Sequence, residues 1–310
     1  MSLKSKPRTK FVLLLTLVIG ISISILSVIF LIDFTPSEIS SIPSESLSNN
    51  LHSMSSYVET LSSTHTYKVQ TSTYFELYFT ESDYNRYLEG LQQLEGARLV
   101  LHPSNAEQLI DYLNPRPGSV VIFPTFTAAA YFPNGFYNYY AGTCDQSCVN
   151  DVSFDHFHFD YEESGVTAQI LYHVGYEFLT DVEVDKNPEL LKHYDTVILL
   201  HNEYVTKNQF DAITSHPNLI FLHPNALYAE IDVNHETNTM TLIKGHDYPP
   251  ENPVSNGFDY EIEKQFHKFE HNSSCIDWEF SKISNGFHLN CYPESVIREK
   301  LDILHQIKEL

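Results

Sequence analysis

Residues 194–231 read YDTVILLHNEYVTKNQFDAITSHPNLIFLHPNALYAEI, and this stretch decides the predicted fold. It contains two uninterrupted apolar runs, TVILL at 196–200 and LIFL at 219–222. Strands covered on both faces have this composition, because none of their side chains meets water. Between the runs, Thr206 is followed three residues later by Gln209, a capping box that predicts the start of a helix. The stretch therefore predicts a strand, a helix and a second strand.

The same pattern occurs earlier in the chain. ARLVL at 97–101 and SVVIF at 119–123 are apolar runs, and Ser104 with Glu107 predicts a helix between them. A helix from near Gly165 to Gly175 and a short strand at 182–184 continue the alternation. Apolar strands that alternate with helices are typical of a parallel sheet. The predicted fold class is therefore α/β, a parallel sheet flanked by helices.

The last third of the chain has a different pattern. Residues 228–233 and 239–243 flank a polar turn, and residues 278–283 and 287–291 flank Asn285-Gly286, a strong hairpin signal. These pairs predict an antiparallel β annex that begins at about residue 226 and packs on the α/β core.

The N-terminal region predicts the cellular location of the protein. Residues 11–32 carry no charge and, at about 1.5 Å per residue, can cross a bilayer core of about 30 Å. Basic residues precede them, which predicts a cytoplasmic tail at 1–10, a transmembrane anchor with the lipid bilayer as partner, and a domain outside the cell membrane. A cleaved signal peptide is the alternative, but no small-residue cleavage site follows. A serine-rich linker at 33–66 leads to the folded part, 67–310.

The charge of the chain excludes one class of partner. Lysine and arginine number 18 against 40 aspartates and glutamates, and four of the basic residues lie in the first ten positions. The remainder has 14 basic residues against 40 acidic ones, a net charge of −26. Nucleic-acid binding needs clustered cations, so no nucleic-acid partner is expected.

Four cysteines are present, Cys144, Cys148, Cys275 and Cys291. In a domain outside the cytoplasm an even number of cysteines predicts two disulfides. Pairing within CDQSC at 144–148 leaves Cys275 with Cys291, although cross pairing stays open. The spacings do not match the usual zinc knuckles.

The candidate site follows from the predicted sheet. In an open parallel sheet, ligands bind beyond the carboxyl ends of the strands. The residues at these positions are His102, Thr125, His201, Asn202, Glu203, Tyr204, His223 and Asn225. His201, Asn202 and Glu203 are the candidate catalytic residues, because an imidazole base, an amide donor and a carboxylate could converge on a small substrate. The others are candidate ligand-binding residues, and the alternative is that they satisfy strand ends and loops.

A second candidate is a metal site. In the sequence DHFHFD at 155–160, His156, His158 and Asp160 would share one face of a strand and could hold a divalent metal ion. The alternative is a half-exposed strand with the two phenylalanines in the core. The tyrosine-rich stretch YFPNGFYNYY at 131–140 could be a stacking surface for sugars or aromatic ligands, but a packed loop is the preferred interpretation.

The opening stretch, GFYNYYAGTCDQSC at 135–148, CIDWEF at 275–280 and LNCYPE at 289–294 together resemble a family of uncharacterised, membrane-anchored archaeal proteins. The resemblance covers most of residues 90–295. The α/β core of that family is similar to the flavodoxin-like sheet of class I glutamine amidotransferases and to the C-terminal region of N,N-dimethylformamidase large subunits. Amidotransferases have a cysteine just after a core strand, where this chain has His201-Asn202-Glu203. Dimethylformamidases use tyrosine and glutamate as iron ligands, and Tyr204 and Glu203 are of those types.

Two functions are expected from these features. The first is a membrane-anchored domain outside the cytoplasm that binds a small ligand or a partner in the cell envelope. The alternative is a hydrolase of amide or related bonds with His201, Asn202 and Glu203 in the crevice.

Overall fold

The computed structural model of the protein describes residues 67–88, 97–155, 164–260 and 274–310. All of them belong to the second of the two units into which the chain divides, Met1–Ser44 and Glu45–Leu310. The predicted tail, transmembrane anchor and linker at residues 1–66 lie outside this part of the chain, as do His156, His158 and Asp160. Among the residues that the structure describes, no helix is both long enough and apolar enough to span a bilayer.

The described residues form strands and short helices. The strands are β1 (Tyr67–Thr71), β2 (Phe75–Phe79), β3 (Arg98–Leu101), β4 (Ser119–Phe123), β5 (Val152–Ser153), β6 (Glu177–Thr180), β7 (Thr196–Leu199), β8 (Tyr204–Val205), β9 (Leu219–Phe221), β10 (Ala229–Asn234), β11 (Thr239–Lys244), β12 (Phe280–Ile283) and β13 (Gly286–Leu289). The α-helices are α1 (Glu81–Leu88), α2 (Ala106–Leu113), α3 (Thr125–Tyr131), α4 (Phe136–Tyr140), α5 (Gly165–His173), α6 (Asp181–Lys186), α7 (Lys207–Thr214) and α8 (Leu301–Ile307). Two 3-10 helices are Gln146–Val149 and Pro188–His193.

A six-stranded sheet forms the centre, in the order β12-β13-β9-β7-β4-β6. The five strands from β13 to β6 are parallel, and β12 joins the edge antiparallel to β13. Every residue of β4, β7 and β9 is buried, as their uninterrupted apolar sequences predict.

The predicted fold class is nevertheless wrong, because the residues that the structure describes do not form one parallel sheet with a separate annex. The described residues form three sheets: the mixed central sheet, an antiparallel sheet β1-β2-β3, and a mixed sheet β5-β11-β10-β8. The run at 97–101 gives β3, which pairs with β2 through Leu99 and Leu77 and lies outside the central sheet. A short apolar run does not specify which strand it pairs with.

The C-terminal hairpin also differs from the prediction. Its strands β12 and β13 extend the central sheet, because Gly286 to His288 pair in parallel with Leu219 to Phe221. Gly286 allows this close approach, since a Cβ atom there would lie 2.0 Å from the Leu219 carbonyl oxygen. The predicted strand at 182–184 lies in α6, where Thr180 and Glu183 form a capping box that ends β6 and begins the helix.

The central strands divide the core into two layers, because side chains alternate across a sheet. Val121, Ile198 and Ile220 face the layer formed with α5, α8 and the β1-β2-β3 sheet. Val120, Val197 and Leu219 face the layer formed with α6, α7 and the 3-10 helix Pro188–His193. Each fully buried apolar side chain contributes about 1.5–3 kcal/mol. The carboxyl ends of β4, β7 and β9 are therefore held rigidly.

The cysteines form two disulfides, Cys144–Cys148 and Cys275–Cys291. Cys275 and Cys291 are fully buried, whereas Cys144 is partly exposed. The preferred pairing is confirmed. The first disulfide closes a short loop after α4, and the second joins the end of β13 to the segment before β12.

Candidate functional site

The candidate site begins where β7 ends. His201, Asn202 and Glu203 follow that strand, and all three side chains have no exposed surface. Tyr204 and Val205 then form β8, which pairs with β10 of the neighbouring sheet. The three residues thus occupy the crossing from the central sheet to the β5-β11-β10-β8 sheet, and the turn is fixed from both sides.

The Glu203 carboxylate is the centre of a polar cluster. Its Oε2 accepts hydrogen bonds from the hydroxyls of Tyr131 at 3.1 Å and Tyr137 at 3.4 Å, and lies 3.3 Å from His201 Nε2. Its Oε1 lies 2.5 Å from His246 Nε2. The two tyrosine hydroxyl oxygens are themselves 2.5 Å apart. We call these residues, Glu203, His201, His246, Tyr131 and Tyr137, the Glu203 cluster.

Helix α3 positions this cluster from one side. Thr127 and Tyr131 lie on the same face of the helix because they are four residues apart. The Thr127 Oγ1 atom accepts the backbone N–H groups of Glu203 at 2.9 Å and Tyr204 at 3.2 Å, while Tyr131 bonds the carboxylate. The start of α3 is fixed by Asp181, whose carboxylate accepts the Phe126 N–H at 3.1 Å.

Helix α4 and a loop after β11 complete the cluster. Tyr137 lies in α4, directly before Asn138, whose carbonyl accepts the N–H groups of Thr143 and Cys144. His246 follows β11 and has a φ of 53°, so the left-handed backbone turns its ring toward Glu203. The His246 side chain is 22% exposed, and it marks the side from which solvent reaches the cluster.

Burial and charge shift the pKa values in opposite directions. Burial acts to raise the pKa of Glu203, but the charge of His246 and the hydrogen bonds from His201 and His246 outweigh it and lower the pKa well below its usual value. Burial, together with the Glu203 charge, raises the pKa of Tyr137 well above 10. The cluster is therefore a buried carboxylate anion surrounded by protonated phenols and two imidazoles.

A second group of side chains supports His201. The His223 ring follows β9 and stacks on the His201 ring at 3.8 Å between centroids, with 25° between the planes. Tyr292 contacts His223 edge-on at 4.4 Å and donates a hydrogen bond to Asn225 Oδ1 at 2.7 Å. Burial lowers the pKa of His223 well below 6.5. A neutral imidazole is therefore held against His201.

The structure brings together some of the candidate residues and not others. His201 and Glu203 belong to the cluster, and Tyr204 lies beside it, with its ring stacked at 5.8 Å from the His246 ring. Asn202 Oδ1 accepts a hydrogen bond from the Leu200 N–H at 3.0 Å and so stabilises the turn after β7. Thr125 begins α3 and lies beside Asp181. His102 follows β3 of the antiparallel sheet, so its expected position at the central sheet edge is wrong.

Sequence reasoning missed three members of the cluster, Tyr131, Tyr137 and His246. The two tyrosines lie within YFPNGFYNYY, where the packed-loop interpretation was preferred. Their spacing of six residues does not match the helical period, because a turn at 132–135 separates α3 from α4. His246 has no sequence signal beyond the Gly245-His246 pair.

The cluster suits a metal ion only if tyrosine is included. In the part of the chain that the structure describes, no group of three or more histidine, cysteine, aspartate or glutamate side chains is arranged to hold a metal ion. Two phenol oxygens and a carboxylate oxygen do converge within 3.5 Å, with imidazole nitrogens beside them. Hard oxygen donors with imidazole fit iron or a similarly hard cation.

Two cavities lie near the candidate residues. A small one is lined by Ser164, His201, His223 and Glu294 among others, on the side of the central sheet edge. A larger one of about 420 Å³ lies beside the Cys144–Cys148 disulfide, against Phe132 and Asp151. No member of the Glu203 cluster lines the larger cavity.

Comparison with known proteins does not assign the chain to a family. No protein-family model matches the chain, and no curated protein matches it.

Proposed function

We propose that the domain hydrolyses amide or related bonds outside the cytoplasm, with the Glu203 cluster as its reaction centre. The observation that carries the proposal is the Glu203 carboxylate, which is fully buried and contacted by two phenols and two imidazoles. Burial of an ionised carboxylate costs free energy unless a cation or several donors compensate. Such an arrangement of perturbed groups is typical of a functional site. The two disulfides support a location in an oxidising compartment.

The residues fit the metal that the dimethylformamidase resemblance implies. Tyrosine and glutamate are the iron ligands of those enzymes, and Tyr131, Tyr137 and Glu203 are the residues of these types that would hold iron here. Tyr204, the tyrosine suggested by sequence alone, is replaced in this role by Tyr131 and Tyr137. When bound, the metal would polarise the amide carbonyl and lower the pKa of a bound water.

His201 is the residue that we assign to proton transfer. Its Nε2 atom lies 3.3 Å from Glu203 Oε2, and its ring is fixed by the stack on His223. Amide hydrolysis needs a group that takes a proton from water and gives it to the leaving amine, and an imidazole does both near neutral pH. The buried surroundings strengthen every electrostatic contact in the cluster.

The experiment combines metal analysis with a hydrolysis assay on the full-length chain. Purified protein is analysed for iron by mass spectrometry and assayed for amine release from a panel of small amides. Glu203→Gln keeps the shape of the side chain and removes its charge, so iron content should fall and turnover should decrease by about 100-fold or more. His201→Gln should lower turnover while iron is retained.

The matched control is Glu189→Gln, which removes a carboxylate that is 70% exposed and pairs with Lys192. This variant should keep both iron and turnover. The proposal fails if the wild-type chain hydrolyses no amide, or if Glu203→Gln hydrolyses amides as fast as the wild type.

Ligand binding without turnover is the second candidate. The tyrosines of α4 favour it, because Tyr137, Tyr139 and Tyr140 are only partly buried and offer ring surface to a small molecule. Calorimetric binding of a small aromatic or sugar ligand by a chain that hydrolyses no amide would support this candidate.

A further inference from the structure

The His246 imidazole lies inside a group of tyrosine rings. The distances from its ring centroid are 4.5 Å to Tyr228, 5.2 Å to Tyr140, 5.8 Å to Tyr204 and 6.2 Å to Tyr137. Its Nε2 atom points at the Glu203 carboxylate. Aromatic rings around a carboxylate are an environment that attracts cationic nitrogen. The chain thus places its own basic ring at a position suited to a cation.

The outer rim of these rings is acidic. Asp247, next to His246, and Glu251 are both exposed. Burial raises the pKa of Tyr228, and the charges of Glu203 and Asp247 raise it further. Burial and the neighbouring Tyr139 raise the pKa of Tyr248, and Glu251 adds to this. Both carboxylates therefore act on the tyrosines that border the cluster.

In the part of the chain that the structure describes, the lysines that form ion pairs do so with carboxylates other than Asp247 and Glu251. Lys244, two residues before His246, is paired with Glu230 at 2.8 Å and lies over the Phe258 ring at 5.7 Å. Among the charged groups that raise the pKa values of Tyr137, Tyr140 and Tyr228, a carboxylate has the largest effect. For Tyr204 and Tyr248 a neighbouring tyrosine has a larger effect, and the carboxylate comes second. The excess of 40 acidic over 14 basic residues beyond the tenth position adds a field of the same sign.

We propose, on the premise that the Glu203 cluster hydrolyses amides, that its substrates are amides carrying a basic nitrogen such as an alkylammonium group. This group takes the place of the His246 imidazole among the tyrosine rings, near Asp247. Amides carrying a carboxylate or phosphate are excluded by the rim. Hydrolysis adds one water across the C–N bond and yields a carboxylate and an amine, while the ammonium group is unchanged.

The test uses three anilides of p-nitroaniline with acyl groups of similar length. The γ-aminobutyryl anilide is cationic, the valeryl anilide is neutral and the succinyl anilide is anionic. For the full-length chain at low salt, kcat/KM for the cationic anilide should exceed that for the anionic one by about 10-fold to 100-fold. Added salt should reduce this ratio, because exposed charges are screened.

A pair of variants with equal charge change locates the effect. Asp247→Asn with Glu251→Gln should lower the cationic-to-anionic ratio several-fold. Asp232→Asn with Glu236→Gln removes two exposed carboxylates on β10 and in the turn that follows it, and should leave the ratio near its wild-type value.

The outcomes separate the two proposals. Turnover of all three anilides at equal rates, or fastest turnover of the succinyl anilide, overturns the substrate class and leaves the hydrolase intact. Absence of turnover with every anilide and every small amide overturns both. An equal fall in the ratio for the two double variants would assign the preference to overall charge and overturn the role of the rim.

Discussion

The Glu203 cluster has two halves that are built in different ways. His201 and Glu203 follow a buried parallel strand, and the hydroxyls of Ser164 and Thr127 accept their backbone N–H groups at 3.0 and 2.9 Å. Tyr137 and His246 come from a five-residue helix and from a loop with left-handed residues, both near the surface. Strand ends are rigid, whereas short helices and loops adjust. In the proposed hydrolase, the strand-end half would fix the carboxylate and the loop half would admit the substrate.

The largest expected effect would come from damage to the strand-end half. Phe221→Ala empties a fully buried position in β9 and should destabilise the domain by about 3–5 kcal/mol. Tyr139→Ala in α4 removes a partly buried ring and should cost about 1 kcal/mol. Urea unfolding measures both. Similar losses for the two variants would show that the halves do not differ in stability.

The two disulfides allow a second comparison of the two halves, with a smaller expected effect on stability. Cys275 and Cys291 are fully buried beside the central sheet, so replacing both by alanine should cost about 3 kcal/mol. Replacing Cys144 and Cys148 by serine opens a loop of only a few residues and should cost less stability. Because that loop follows α4, turnover should nevertheless fall more in the second variant. Unfolding curves and kcat, measured on both variants, show whether the larger loss of stability and the larger loss of turnover occur in different variants.

Thr127 of α3 holds the backbone of Glu203 in the strand-end half, and its replacement tests that contact. Thr127→Val keeps the shape but leaves the backbone N–H groups of Glu203 and Tyr204 without their acceptor, which costs about 1–3 kcal/mol. We expect kcat to fall by about 10-fold or more, with KM little changed. Thr127→Ser retains the acceptor and should restore kcat. A serine variant as impaired as the valine variant would show that Thr127 acts only through packing.

The same division explains what the sequence could predict. The apolar runs that give β4, β7 and β9 and the capping box at Thr206 and Gln209 are confirmed, because these signals are local. The Ser104 and Glu107 capping box is wrong, since Asn105 is the N-cap of α2 and its side chain makes no capping hydrogen bond. Sheet membership of β3 and β13 depends on distant partners, which no local pattern specifies.

The candidate site divides in the same way. His201 and Glu203 could be selected because strand ends have a defined place in an α/β fold. Tyr131, Tyr137 and His246 could not, because they meet Glu203 only after α3, α4 and the loop after β11 pack together.

The smallest expected effect concerns pH and the rigid half alone. Burial holds the pKa of His223 well below 6.5 in the folded state. Above about pH 6.5 the ring is neutral in both states, so its contribution to stability is complete. As the pH falls below 6.5, His223 becomes protonated in the unfolded chain but stays neutral in the folded chain. The free energy of unfolding therefore decreases by up to about 1.4 kcal/mol per pH unit.

The test compares unfolding free energies at pH 7 and pH 5.5 for the wild type and two variants. His223→Gln should unfold with a smaller pH dependence than the wild type, whereas His193→Gln, at an exposed position, should not differ from it. Asp181, whose buried carboxyl has a raised pKa, contributes with the opposite sign, but it is present in all three proteins and cancels in the comparison. An unchanged pH dependence in His223→Gln would mean that the His201–His223 stack opens below pH 6.5 and lets the proton in. In that case the strand-end half would be as adjustable as the loop half, and the distinction between them would not hold.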